Sequence, residues 1–310
     1  MNTILLKVQQ YLDNVSKNPA KLDKQLVQEF GEACKNALLK QFEEKRRDKF
    51  EARMSNIGRP LCQLQMEAKG IKGEGQPYSN KMRNTFGDLI EALAIFVMKS
   101  ANIELKNEQK KLKYKFNGGE IEGRQDVEID GKIWDIKSAS PYSFEKKFGE
   151  AGGFNEVVRE DYFGYASQGF LYGESQDKNF GGWIVINKST GEWTVCETPA
   201  EHEEYKTTAL NTAKNNFKAL NIAKDKYKSL KENKPFKKCY DDVAETFRSK
   251  PTGNRVLGFV CSYCPYKLPC WGRDKLQLLP QQQSKGKNPK WVWYTSVTNP
   301  KEDTEEYSGD

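Results

Sequence analysis

The sequence predicts a mixed α/β fold, a single core with helical additions. Apolar residues recur at helical spacing through long charged stretches, and two strand-turn-strand signals interrupt them in the middle of the chain. At 310 residues the chain can bury one sizeable core, or a core with an appended lobe.

In order, residues 3–54 read as helical, with Leu5, Val8 and Leu12, then Leu22, Leu26 and Phe30, at helical spacing. Residues 55–60, ending in Gly58-Arg59-Pro60, break that pattern, and residues 69–80 hold three glycines and a proline and read as a loop. Residues 82–102 form the most apolar helix, through Phe86, Leu89, Ile90, Leu93, Phe96 and Val97, a density that predicts burial on more than one face. Residues 111–139 read as strands, with a turn at Asn117-Gly118-Gly119 and a hairpin signal at Asp130-Gly131. Residues 141–160 are glycine-rich and mixed, and residues 161–174 form a short aromatic helix. A second hairpin turns at Ser189-Thr190-Gly191, and a charged helix covers about 199–232. The expected organisation is a helical region over 1–54, a core over 55–275 and a polar tail over 276–310.

Composition narrows the chemistry. No apolar run approaches the ~20 residues that span a bilayer, and the first residues lack an uninterrupted apolar leader, so the expectation is an intracellular, cytoplasmic protein with reduced thiols. Seven cysteines in a reducing compartment then point to metal or cluster ligands for some of them. The net charge of +7 mildly favours an anionic partner such as nucleic acid. The one histidine, His202, excludes sites built on two or more histidines and is expected at the solvated surface. No Gly-x4-Gly-Lys-Ser/Thr phosphate loop is present, so the sequence encodes no ATP motor of that type.

The segment from Gly123 to Lys137 carries the most chemistry. Residues two apart on a strand face one side, so Asp135 and Lys137 point together and Ile136 points away. Across the turn, Asp126 can approach Asp135. Two carboxylates converging at a sheet edge suit Mg²⁺ or Mn²⁺, and a nearby lysine can orient a water or offset phosphate charge. Taken alone, the same residues also describe a surface hairpin with a cross-strand ion pair. Glu91 bears on the choice, because a carboxylate in so apolar a helix is costly unless paired or metal-bound. Gly87 lies four residues before it on the same face and would permit close approach of another backbone. Gln168 and Tyr172 share a face of the aromatic helix.

The order Gly87/Glu91, Gly123/Asp126, Asp135/Lys137, Gln168/Tyr172 resembles the RecB-like branch of the PD-(D/E)XK nuclease superfamily. The resemblance spans about residues 55–272 and implies a restriction-endonuclease-like core, a mixed central sheet flanked by helices. It implies that Glu91, Asp126 and Asp135 hold the metal ions and that Lys137 acts on the attacking water or the scissile phosphate. Gln168 and Tyr172 would shape the site and contact DNA. Many members place histidine where this chain has Glu91.

Cys261, Cys264 and Cys270 follow C-x2-C-x5-C spacing, and three thiolates need a fourth ligand to close a zinc site or a [4Fe–4S] cluster. Cys34, Cys62, Cys196 and Cys239 are candidates. Cys62 is preferred because it follows the break at 55–60 and precedes the Glu91 helix, which leaves Cys34, Cys196 and Cys239 to cores or the surface. AddB-type and CRISPR-adaptation members of the same branch have a similar layout, which implies a [4Fe–4S] staple; zinc and plain structural thiols remain alternatives.

Arg83, Arg124, Lys146, Lys147 and Arg159, interleaved with Tyr142, Phe144, Tyr162, Phe163 and Tyr165, are candidate DNA contacts. The resulting expectation is a metal-dependent DNA exonuclease acting on free ends in recombination or repair, in a bacterial or phage-infected cell, with a recombination partner protein as a further candidate partner. The alternatives are a structure-specific endonuclease or CRISPR-adaptation end-trimming nuclease, and, from another class, a non-catalytic zinc-containing DNA-binding module.

Overall fold

The computed structural model describes residues 2–43, 49–75, 78–159, 161–220 and 237–298. In chain order the helices are α1 (Thr3–Lys17), α2 (Lys24–Phe42), α3 (Leu61–Ala68), α4 (Tyr78–Ser100), α5 (Pro141–Ser143), α6 (Phe154–Arg159), α7 (Tyr165–Glu174) and α8 (Glu203–Ala219). The strands are β1 (Lys111–Phe116), β2 (Gly119–Arg124), β3 (Val127–Ile129), β4 (Lys132–Ala139), β5 (Phe180–Asn187), β6 (Trp193–Glu197), β7 (Val243–Phe247), β8 (Lys250–Val256), β9 (Gln277–Pro280) and β10 (Trp291–Ser296). Two compact units divide the chain, residues 1–59 with 77–226 and residues 60–76 with 227–310. No described helix is long and apolar enough to cross a membrane.

The first unit is a mixed α/β structure around a four-stranded sheet in the order β3-β4-β5-β6. β4 and β5 are parallel, and the outer pairs are antiparallel. The β3–β4 turn is the expected one: Asp130 and Gly131 both take positive φ (50° and 75°), whose twist matches the flanking strands. β5 is buried at all eight positions, which explains its near-continuous apolar run. Alternation along β4 sends Trp134 and Ile136 into one core, with Ile4 and Val8 of α1 and Ala94, Val97 and Met98 of α4. The other core packs Phe148, Phe154 and Phe170 on Phe180, Trp183 and Val185. Each fully buried side chain of this size contributes roughly 1.5–3 kcal/mol.

Several expectations need correction. The helical region at the start of the chain is interrupted between Lys17 and Lys24, where Asn18-Pro19 follows α1. α4 is buried on more than one face, as expected, with Ala94, Val97 and Met98 in the core shared with β4 and Phe96 against Phe30 of α2 at 5.5 Å, but Phe86 and Leu93, expected among its buried residues, are exposed. His202 is not a freely solvated ring; its Nδ1 lies 2.8 Å from the Pro199 carbonyl oxygen, and it stacks on Phe170 at 6.0 Å. The charged helix is seen over Glu203–Ala219, and the rest of the expected span, from 221, lies outside the described residues.

The second unit holds α3 and an antiparallel sheet in the order β7-β8-β10-β9. The expected polar tail therefore contributes two strands, as far as residue 298, with 299–310 outside the described residues. The reason is Tyr294, which is buried and donates its hydroxyl to Glu245 at 2.8 Å, while Glu245 also accepts from Thr252 and Asn254 at 2.8 Å each. A buried carboxylate satisfied in this way fixes the register of the strands around it.

Candidate active site

In the first unit the β3–β4 hairpin gathers the acidic residues. Asp126 stands just before β3, and its Oδ2 accepts the Ile136 backbone N–H at 2.7 Å. That bond ties the carboxylate to the strand carrying Asp135 and Lys137. Asp135 is buried, 1% exposed. Its Oδ1 accepts from Gln168 Nε2 of α7 at 3.0 Å, and the same nitrogen lies 3.0 Å from the Tyr172 hydroxyl oxygen. The other oxygen, Oδ2, has no hydrogen bond of good geometry among the described residues; it has an ion contact with Lys137 Nζ at 2.7 Å.

Glu91 of α4 completes the acidic group. Gln109 Nε2 donates to Glu91 Oε1, and the Gln109 backbone N–H donates to the Asp126 carbonyl at 2.9 Å. Gln109 thus links the helix to the hairpin. Sequence reading missed it, because no spacing rule ties a loop residue to a glutamate 18 positions upstream. Tyr165 was read only as a DNA contact, yet Lys137 Nζ lies 4.9 Å from its ring centroid.

The two motif glycines differ. A Cβ on Gly123 would meet Met54 Sδ at 2.6 Å and Tyr172 Cε1 at 2.7 Å, so only glycine fits there. A Cβ on Gly87 would meet only Ser138 Oγ at 3.7 Å, an ordinary contact. The close backbone approach expected at Gly87 is absent, because α4 meets β4 there through a side chain.

Burial, then the Glu91 and Asp135 carboxylates, hold the Asp126 carboxyl well above its ordinary range, against the pull of Lys137 and the Ile136 N–H. Burial also raises Asp135, with Lys137 opposing it. Glu91 is raised by burial, then by Asp135 and Asp88. Burial alone would lower the Lys137 ammonium; Asp135, Tyr165 and Asp126 outweigh it and hold the proton on. Three carboxylates thus repel one another beside a single ammonium, an arrangement that a further cation would relieve. The donors are all oxygens, which fits Mg²⁺ or Mn²⁺, and Asp135 Oδ2 leaves a buried acceptor short of hydrogen bonds. Among the described residues, no group of three or more Asp, Glu, Cys or His side chains is already placed to hold a metal ion.

The cysteines of the second unit behave differently. Cys261, Cys264 and Cys270 are all partly buried, in and beside the helical turns Phe259–Ser262 and Lys267–Trp271. Burial raises each thiol, Cys270 to about 11, and nearby Lys238 opposes the rise at Cys261 and Cys270. Cys62 is not placed as their fourth ligand. It is bonded to Cys239 instead, with a Cα–Cα distance of 5.7 Å that is normal for a disulfide, and its N–H lies 3.0 Å from the Cys239 sulfur. The sequence had assigned Cys239 to a core or the surface; the fold sets its side chain against Cys62. Cys196 does sit in the first unit's core, where burial pushes its thiol to about 12.

Among the candidate DNA contacts, Arg159 pairs with Glu156 at 2.6 Å, Arg83 bonds Ser79 at 3.2 Å and Phe144 packs on the first unit's core. Tyr142 and Phe163 are exposed.

No protein-family profile matches the sequence, and no curated protein matches it. Solved structures with some likeness include SSO0001, at 13% identity and a TM-score of 0.36 over 61% of this chain and 85% of that one. A second is a candidate exonuclease from Eubacterium rectale, at 14% identity and a TM-score of 0.32 over 72% of this chain and 97% of that one. At TM-scores this low a shared fold does not follow.

Proposed function

We propose that the chain is a metal-dependent DNA nuclease that hydrolyses phosphodiester bonds from free ends, as in recombination or end repair. One observation carries this reading. Asp135 and Lys137 share one strand face, joined at 2.7 Å, with Gln168 on Asp135 and the carboxylates of Asp126 and Glu91 beside them.

A divalent cation held by Glu91, Asp126 and Asp135 would supply an activated water and offset charge on the phosphoryl oxygens. Asp135, 2.7 Å away, favours the protonated form of Lys137, and the ammonium would donate to an anionic oxygen. Gln168 orients Asp135, and Tyr172 anchors Gln168. The Ile136 N–H fixes Asp126 without occupying both of its oxygens.

For the second unit we propose a [4Fe–4S] cluster on Cys261, Cys264, Cys270 and the reduced form of Cys62, with zinc as the alternative occupant. Support comes from the sulfur donor set and from the closeness of the three thiols, since Cys264 acts electrostatically on Cys261, and Cys261 and Cys264 act on Cys270.

Incubating end-labelled linear and covalently closed DNA with Mg²⁺ or Mn²⁺ tests the nuclease reading. Linear DNA should be degraded and closed circles spared. Efficient cutting of closed circles would make the protein an endonuclease, and no cleavage of any DNA with either metal would overturn the reading.

A further inference from the structure

Phe163 is 52% exposed, although it stands three residues before the buried stretch from Ala166 to Gly173. An isolated exposed phenylalanine needs no explanation, but this one is held in place. Its ring stacks on Tyr165 with centroids 5.4 Å apart and planes within 22°. Tyr165 in turn lies under the Lys137 ammonium at 4.9 Å. An exposed aromatic face thus sits two rings from the cation proposed to meet the scissile phosphate.

The turn beneath these rings is rigid. The Asp161 carboxylate accepts the N–H groups of Tyr165 at 2.6 Å and Ala166 at 2.9 Å. Gly164 takes φ +77°, and a Cβ there would meet the Gly58 backbone at 2.9 Å. The Phe163 ring is therefore presented from a fixed backbone with one face covered by Tyr165. Arg59 acts electrostatically on Tyr165, and Lys147 Nζ lies 5.7 Å from the neighbouring Tyr162 ring, so cations lie near the rings. A flat apolar face with cations nearby matches the chemistry of an unpaired nucleobase on its phosphate chain.

We infer that Phe163, backed by Tyr165, is a stacking platform for the unpaired base adjoining the scissile phosphate, so that the site takes single-stranded DNA ends. The inference rests on the nuclease reading and adds the substrate class. A blunt duplex end keeps its bases paired and stacked, and reaches the platform only by fraying.

The test uses the full chain, a single-stranded 20-mer and the matching blunt duplex, with Ca²⁺ in place of Mg²⁺ to hold the DNA uncut. Phe163→Ala and Phe163→Leu should each weaken single-strand binding by about 5- to 100-fold. Duplex affinity should change by less than about twofold, and Phe163→Trp should bind as wild type. A 2-aminopurine at the bound end should be quenched by wild type and not by Phe163→Ala. Unchanged single-strand affinity in Phe163→Ala, or equal losses on single strand and duplex, would overturn the platform. If linear DNA is still degraded with Mg²⁺ in that case, the platform alone fails; if wild type neither binds nor cuts any DNA, both readings fail.

Discussion

The β3–β4 hairpin and the cysteine segment assemble their donors by different means. In the hairpin the backbone does the work: a tight primed turn sets the register, the pleat aligns Asp135 with Lys137, and the Ile136 N–H holds Asp126. Gln168 and Gln109 then tie in two helices. In the cysteine segment each thiol is raised by burial; the Cys264 N–H donates to the Cys261 carbonyl at 3.1 Å, while Cys62 is bonded to Cys239 and not placed with the three. Carboxylates can be preorganised by hydrogen bonds because they are strong acceptors. Thiols are weak acceptors and are not preorganised in this way.

The largest effect should come from removing charge in the hairpin. Asp135→Asn keeps the size of the side chain and an acceptor for Gln168, but removes the charge. Cleavage should fall by on the order of a hundredfold to a thousandfold or more, with the melting temperature held or raised, because a burial-penalised carboxylate is gone. Near-normal cleavage by this variant would sink the assigned site.

The cysteine segment can be separated from the hairpin by loading experiments. Under anaerobic conditions, Cys261→Ser, Cys264→Ser, Cys270→Ser and Cys62→Ser should all fail to take up iron. Cys239→Ser should load iron without prior reduction, since it frees Cys62 from its bond. The reverse result, with Cys62→Ser loading and Cys239→Ser failing, would make Cys239 the ligand. One zinc and no iron would replace the cluster while leaving the hairpin untouched.

A third contrast concerns pH. Burial holds the Asp161 carboxyl at about 6 against the pull of the α7 N–H groups. The folded state therefore keeps a proton that the unfolded chain has released above its ordinary pKa near 4. Stability is greatest below that window and falls as pH rises through about 6. The wild type should lose up to about 3 kcal/mol relative to Asp161→Asn between pH 4 and 7. Urea unfolding at both pH values measures this, and parallel curves for the two proteins would refute it.

The smallest effects distinguish the motif glycines. Gly123→Ala should cost about 1–3 kcal/mol and disturb Tyr172, whereas Gly87→Ala should be neutral or slightly stabilising in its helix. Equal melting temperatures for the two variants would contradict the packing described around Tyr172.

Much of the hairpin was legible because its information is local. The Asp130-Gly131 turn, the alternation of β4 and the four-residue step from Gln168 to Tyr172 are short-range regularities that backbone geometry enforces. Gln109 was not legible, and neither was the Cys62–Cys239 bond, since each joins positions with no periodic relation. The strands of the expected tail were hidden for a related reason: only a buried acceptor 49 residues upstream makes Tyr294 a core residue.

By itself, then, the sequence determined the element types between about residues 82 and 197, the two hairpins and which face of β4 carries Asp135 and Lys137, because those follow from periods of two and 3.6 residues. Tertiary structure decided that Glu91 is held by Gln109, that Tyr165 sits under Lys137, and that Cys62 meets Cys239. Those contacts depend on where distant segments cross, which is set by side-chain packing over the whole core rather than by any local repeat.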